Sequence, residues 1–164
     1  MEHCYVEFTH HGGASLERLE KFVGTVKSEK DLTAAEVDKS WIHFFTEDEM
    51  AGFWWPAKDK VEQVRKAWGD VPVFRIADRK MKRDWDIYSM FTVLRECEYV
   101  LVGVREVGPV LYRVEFDPAG YPFGGTGSLQ RTVAALGGTV VVVDDGTGRV
   151  EMRQKPWWKF WQKR

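Results

Sequence analysis

The sequence predicts a single α+β domain with a central mixed, largely antiparallel sheet of five to six strands and helices packed on it. The 164 residues are 44% hydrophobic and 30% charged, which is typical of globular domains. Short β-branched and aromatic runs alternate with stretches in which apolar residues recur at helical spacing. Because no internal repeat or linker interrupts this alternation, we expect one domain over residues 1–154 and a separate C-terminal tail over residues 155–164.

The first elements are a strand and a helix. Residues 4–8 alternate between two faces and place Val6 and Phe8 on the same one, as in a strand. After a glycine break, Ser15 is expected to cap a helix. The apolar stripe of this helix consists of Leu16, Leu19, Val23 and Val26.

Further elements follow before residue 80. Two Thr-x-x-Glu patterns, at residues 33–36 and 46–49, are capping boxes and predict helix starts. Residues 40–45 between them fit a helix or a strand, and their aromatic and β-branched content favours a strand. Residues 61–68 predict another helix, and residues 71–76 a strand.

The second half of the chain contains the clearest patterns. Residues 86–96 predict a helix, and residues 99–107 and 110–116 predict an antiparallel hairpin that turns at Gly108-Pro109. A helix is then expected to bury Leu129, Val133 and Leu136 and to end at Gly137-Gly138. Residues 139–143 form a β-branched run typical of a strand buried on both faces. Residues 149–153 predict an edge strand.

Composition excludes several classes of protein. The net charge of −1 argues against a nucleic-acid binder, which is usually strongly basic. Residues 1–57, however, contain eleven acidic and five basic side chains, so this part has a net charge of −6. No segment approaches the roughly 18 apolar residues of a membrane span, and no secretory leader opens the chain. We therefore expect a cytoplasmic protein without stable membrane insertion, in which Cys4 and Cys97 are small buried hydrophobes.

An aromatic and acidic segment is the main candidate for partner binding. Aromatic residues bracket an acidic turn there, and aromatic side chains commonly anchor protein interfaces. Core packing is the alternative interpretation, because aromatic residues also dominate cores. The predicted contact residues are Trp41, Phe45, Glu47, Asp48, Glu49, Trp54 and Trp55.

A glycine-rich loop between a predicted strand and a helix is the candidate ligand site. Its glycines would let backbone N–H groups approach an anion at a helix N-terminus. Asp144 and Asp145 follow a buried strand and would add carboxylates, although Asp-Gly is also a turn sequence. The alternative for the loop is a tight turn with a hydroxyl cap. The loop residues are Gly124, Gly125, Thr126, Gly127 and Ser128.

Catalytic and metal-binding motifs are scarce. The four histidines, among them His10 and His11, show no zinc spacing, and no nucleophile elbow or P-loop is present. We therefore expect no cofactor and no metal. In the tail, residues 156–164 predict a short amphipathic helix, because three tryptophans and Phe160 share one side of a helical projection. The tail would dock on the domain itself, on a partner or on a membrane surface.

The function most consistent with these features is a non-enzymatic protein-protein interaction. Our hypothesis is a small bacterial cytoplasmic protein that neutralises a partner, as an immunity protein blocks a toxin. The alternative is a small-molecule or phosphate-binding domain, or a small enzyme, that uses residues 124–128.

Overall fold

Five antiparallel strands form one sheet in the computed structural model, which describes residues 3–53, 86–97, 99–118 and 126–152. The order across the sheet is β2-β3-β1-β4-β5, and every neighbouring pair is antiparallel. The α+β prediction is therefore confirmed. The strands are β1 (Cys4–Thr9), β2 (Tyr99–Gly108), β3 (Leu111–Pro118), β4 (Thr139–Asp144) and β5 (Arg149–Glu151).

The helices share one hydrophobic core with the sheet. On β1 this face carries Val6 and Phe8, which are fully buried against helix residues such as Leu19 and Phe91. Burial of side chains of this size provides most of the stabilising free energy of such a fold. The described helices are α1 (Gly13–Ser28), α2 (Ala34–Trp41), α3 (Glu47–Ala51), α4 (Ile87–Glu96) and α5 (Gly127–Ala135).

The two capping boxes are confirmed, whereas the predicted cap at Ser15 is wrong. The side chains of Thr33 and Thr46 each accept a hydrogen bond from the backbone N–H of the glutamate three residues later. The carboxylate of that glutamate in turn accepts from the backbone N–H of the threonine. Helix α1 begins two residues before Ser15, and its N-cap, Gly12, provides no side-chain hydrogen bond. Ser15 Oγ instead donates to Gly12 O at 3.4 Å. The reason is that Gly12 and Gly13 allow the helix to start earlier.

The preferred strand at residues 40–45 is also wrong. Helix α2 continues to Trp41, and residues Ile42–Phe44 form one 3-10 turn. Trp41 lies four residues after Val37, and both side chains are buried on the same helical stripe. Helical phase buries Trp41, so packing overrides the local β preference of the segment.

The β2–β3 hairpin is confirmed, with one correction at its tip. Gly108 pairs with Leu111, so the turn consists of Pro109 and Val110. Val110 was expected to begin the second strand but has φ of +55°. The rigid ring of Pro109 excludes the turn types with a positive φ at the first turn position, so the positive φ falls on Val110.

The end of α5 follows the prediction closely. Gly138 N–H donates to Val133 O at 2.8 Å, and Gly137 N–H donates to Ala134 O at 3.3 Å. This is a Schellman motif, and Gly137 has φ of +85°. A Cβ on Gly138 would lie 2.6 Å from Val133 Cγ1, so close packing requires the second glycine as well.

The predicted burial of β4 on both faces holds only in its second half. Val142 and Val143 are both buried and point to opposite faces. Thr139, at the start of the strand, is exposed. Strand β5 pairs only with β4 among the described strands, as the edge prediction requires.

The sheet face opposite the main core is polar and largely ion-paired. Arg113 Nε donates to Glu7 Oε2 at 2.8 Å, and its guanidinium carbon lies 3.9 Å from the centroid of the Tyr5 ring. Burial opposes the charge of Arg113, but the hydrogen bond and negative charge of Glu7 outweigh it and raise the pKa of Arg113. Arg105 Nε donates to Glu115 Oε1 at 2.8 Å. These pairs provide partners for charges that would be costly to bury alone.

Two lysines of the α1 region satisfy carbonyl groups of β2. Val102 is skipped in the β2–β3 register, and Lys27 Nζ donates to its carbonyl oxygen at 3.3 Å. Tyr99 pairs with Pro118, which has no N–H, and Lys30 Nζ donates to Tyr99 O at 2.6 Å. Lysine ammonium groups thus replace donors that the strand ladder does not supply.

We predict that Lys30→Met lowers the free energy of unfolding by about 1–3 kcal/mol, because it leaves half-buried acceptors without their charged donor. Methionine keeps an unbranched side chain but cannot donate. Urea unfolding measures the loss. The matched control is Lys21→Met, which removes an exposed i,i+4 pair with Glu17 and should have a much smaller effect, because solvent screens this pair. Equal losses in the two variants would contradict the role assigned to Lys30.

Candidate functional site

The aromatic part of the predicted contact segment belongs to the core. Trp41 is fully buried, its ring is edge-on to Phe22 and Phe91, and its Nε1 donates to Glu29 Oε2 at 2.9 Å. Phe45 is also buried and contacts both phenylalanines. Placing Trp41 and Phe45 on a contact surface therefore needs correction, because each side chain has a satisfied position inside the protein.

The acidic part of the same segment lies on the surface. Glu47 and Asp48, in the first turn of α3, are exposed. Glu49 completes the capping box with Thr46 and forms an ion pair with Arg18. Of the predicted acidic residues, only Glu47 and Asp48 therefore present carboxylates without a hydrogen-bond or ion-pair partner among the described residues. The remaining predicted contacts, Trp54 and Trp55, lie outside the described residues.

The described part of the glycine-rich loop is engaged in local structure. Thr126 is the N-cap residue of α5 but makes no side-chain cap, and its Oγ1 accepts from Gln130 Nε2 at 2.8 Å. Ser128 is fully buried, with its Oγ 3.4 Å from the hydroxyl of Tyr99. The described residues Thr126, Gly127 and Ser128 thus belong to the start of α5, but Thr126 does not make the hydroxyl cap that the alternative interpretation expects. Gly124 and Gly125 lie outside the described residues, so the ligand loop stays a prediction.

Asp144 and Asp145 form the turn between β4 and β5. Asp144 Oδ1 accepts from Gly146 N–H at 3.0 Å, and Asp145 Oδ1 accepts from Thr147 N–H at 3.0 Å and Thr147 Oγ1 at 2.7 Å. The two bonds from Thr147 lower the pKa of Asp145. Within the described ranges, no group of three His, Cys, Asp or Glu side chains could hold a metal ion.

The cysteines differ in environment. Cys4 is buried, and burial raises the pKa of its thiol, with Asp144, Asp145 and Asp117 adding to the shift. Cys97 is half-buried, so it was wrongly expected to be a fully buried hydrophobe. Its Sγ accepts from Lys30 Nζ at 3.3 Å. The sequence could not distinguish the environments of the two cysteines, because that of Cys97 depends on Lys30, which lies 67 residues away along the chain.

A histidine and a serine meet at the start of α1, a pairing that the sequence did not reveal. His10 is buried, and its Nε2 lies 3.3 Å from Ser15 Oγ. Its Nδ1 accepts from Gly12 N–H at 3.1 Å, and its Nε2 lies 2.9 Å from Leu136 O. An amide N–H only donates and a carbonyl only accepts, so the ring is neutral with its proton on Nε2. This nitrogen cannot act as a base toward Ser15, although the two atoms are close.

Asp38 of α2 and Tyr88 of α4 have raised pKa values, and both are influenced by the charge of Asp86. Burial raises the pKa of Asp38 to about 6; Arg95 opposes the shift and Asp86 adds to it. Burial, with the charges of both aspartates, also raises the pKa of Tyr88. Asp86 has a structural role, because its Oδ1 accepts from Ser89 N–H at 2.8 Å as the N-cap of α4. Local sequence patterns do not reveal this group, since α2 and α4 are distant along the chain.

Comparison with known proteins does not identify a relative. No protein-family model, no curated protein and no solved structure matches the chain. No helix within the described ranges is long and apolar enough to cross a membrane.

We predict that fluorophosphonate probes, which label activated serines, leave Ser15 unmodified, because the proton on His10 Nε2 prevents activation of the hydroxyl. Mass spectrometry of the treated chain is the measurement. In urea unfolding, His10→Ala should cost about 1–3 kcal/mol by leaving buried backbone groups unpaired. Labelling of Ser15 that disappears in His10→Ala would show instead that the pair is a catalytic dyad.

We predict that Asp38→Asn stabilises the protein at pH 7.5. In the unfolded chain the carboxyl has its ordinary pKa of 3.8, whereas in the folded chain the pKa is about 6. The folded state therefore binds the proton more tightly, and this contribution to stability rises as pH falls through 6 and levels off near 4. Thermal unfolding should show the largest gain of Asp38→Asn at pH 7.5 and a small one at pH 4.5. Exposed Asp31→Asn is the control, and a pH-independent difference for Asp38→Asn would contradict the assignment.

Proposed function

We propose that this protein is a non-enzymatic binding domain for a partner protein, contacted through the exposed acidic start of α3. The partner presents a basic surface to Glu47 and Asp48. In its specific form, the proposal is that this small domain neutralises a toxin, as immunity proteins do, through its exposed acidic residues. Its cytoplasmic location is part of the same proposal.

The observation that carries the proposal is the contrast between Glu47 and Asp48 and their neighbour Glu49. Glu49 is occupied by Thr46 and Arg18, whereas the other two carboxylates are exposed and have no such partner among the described residues. Acidic residues at a helix N-terminus stabilise the helix by about 0.3–1 kcal/mol each. Glu47 and Asp48 stabilise the first turn of α3 in this way, and their exposed carboxylates are in addition accessible to a basic surface of a partner.

The chemical alternatives have less support. The ring of His10 is held by Gly12 and Leu136. Asp144 and Asp145 accept bonds from the turn that they form. Side chains that suggested catalysis or ligand binding thus have local structural roles, which favours binding over catalysis as the function.

Isolation of the tagged chain from its native cells, after mild crosslinking, tests the proposal. We expect one protein to be recovered in a stoichiometric amount. Glu47→Gln with Asp48→Asn should weaken its binding about tenfold, a change of about 1.4 kcal/mol, and should reduce the salt dependence of association. These neutral substitutions preserve shape and avoid a positive charge at the helix start.

Glu20→Gln with Asp31→Asn is the matched control, because it also removes one glutamate and one aspartate charge, but from other exposed positions. The control should bind like the unmodified chain. Equal weakening by both variants would indicate a general charge effect and contradict a contact at α3. Recovery of no partner by the unmodified chain would contradict the proposed function itself.

A further inference from the structure

The tip of the β2–β3 hairpin has an unfavourable backbone conformation. Among the described residues, Val110 is the one non-glycine residue with a positive φ, +55°. The left-handed region costs an L-residue about 1–2 kcal/mol, and β-branched residues rarely occupy it. Glycine or asparagine would remove most of this cost, because both tolerate the conformation that follows Pro109 in this turn.

Burial does not explain why a valine occupies this position. The Val110 side chain is 44% exposed, so it gains only part of the hydrophobic free energy of a core residue. Backbone strain that packing does not require is characteristic of functional positions. An exposed apolar side chain on a rigid two-residue turn has the properties of an interface anchor, because little entropy is lost when it is buried.

The hairpin tip lies at the end of the molecule where α1 begins. His10 N–H donates to Val110 O at 2.9 Å, and α1 starts three residues after His10. Arg18, which holds Glu49 of α3, lies five residues into α1, or about 7.5 Å along the helix axis. Val110 and Glu49 of α3 are therefore connected, through His10 and Arg18, to the N-terminal half of α1.

We propose that Val110 is the apolar anchor of the partner contact and inserts into an apolar pocket bordered by basic residues on the partner. This inference rests on the proposed function, since it assigns a second point of contact to the same partner. The valine is retained despite its strain because glycine or asparagine would leave that pocket unfilled.

The test uses the full chain with Val110→Asn and measures stability and partner binding separately. Relief of the left-handed strain should lower the unfolding equilibrium constant about fivefold, the lower end of the expected range. The same variant should bind the isolated partner at least tenfold more weakly. Val110→Gly should likewise raise the stability and weaken partner binding, since it relieves the strain without adding a polar group.

Val100→Asn is the control, because Val100 is an exposed valine on β2 of the same hairpin, 56% exposed and with no positive φ. It should retain partner binding. Unchanged binding by Val110→Asn would overturn the anchor, and a loss of stability would overturn the premise of strain. If binding responds to Val110 but not to Glu47 and Asp48, the assignment of the contact to α3 fails while the anchor stands. If the unmodified chain has no partner, both proposals fail.

Discussion

The pairing of β1 with strands on both sides is the constraint on which the rest of the structure depends. All six residues of β1 pair with β3, more than a hundred residues later along the chain, and five of them, residues 5–9, also pair with β4. Alternation along β1 sends Val6 and Phe8 to the main core and Tyr5 and Glu7 to the opposite face. A slip of one residue would reverse both faces at once, so this pairing fixes the helical layer and the polar layer together.

This arrangement brings several polar side chains into hydrogen bonds with groups that are distant along the chain. Lys30 donates a hydrogen bond to a backbone carbonyl of β2, and Glu29 accepts one from the indole of Trp41. His10 forms hydrogen bonds with backbone groups at the start of α1 and at the end of α5. In the sequence alone, the partners of these side chains are not visible. In the folded chain each satisfies a neighbour. Among the described residues, the acidic start of α3 and the strained hairpin tip are the surfaces that we propose for partner contact.

Features determined by neighbouring residues were predictable from sequence. The capping boxes at Thr33 and Thr46, and the helix end at Gly137-Gly138, depend on hydrogen bonds within a few residues, so their signatures are local. The hairpin was predictable for the same reason. Trp41 was not, because a tryptophan has the same local pattern at an interface as in a core. Its position depends on Phe22 and Phe91, which other helices supply.

The sequence by itself therefore determined the α+β class, most of the described helix and strand boundaries to within a few residues, and the acidic character of the N-terminal region. The exception is residues 40–45, where a helix end and a 3-10 turn replace the preferred strand. Periodicity, capping chemistry and net charge are properties of the chain before it folds. Only the tertiary structure decided that Trp41 and Phe45 are core residues, that Glu49 is paired while Glu47 and Asp48 are not, and that His10 holds its proton on Nε2. Each outcome depends on a partner distant along the chain, such as Arg18, Phe91 or Leu136, and local sequence patterns do not specify long-range contacts.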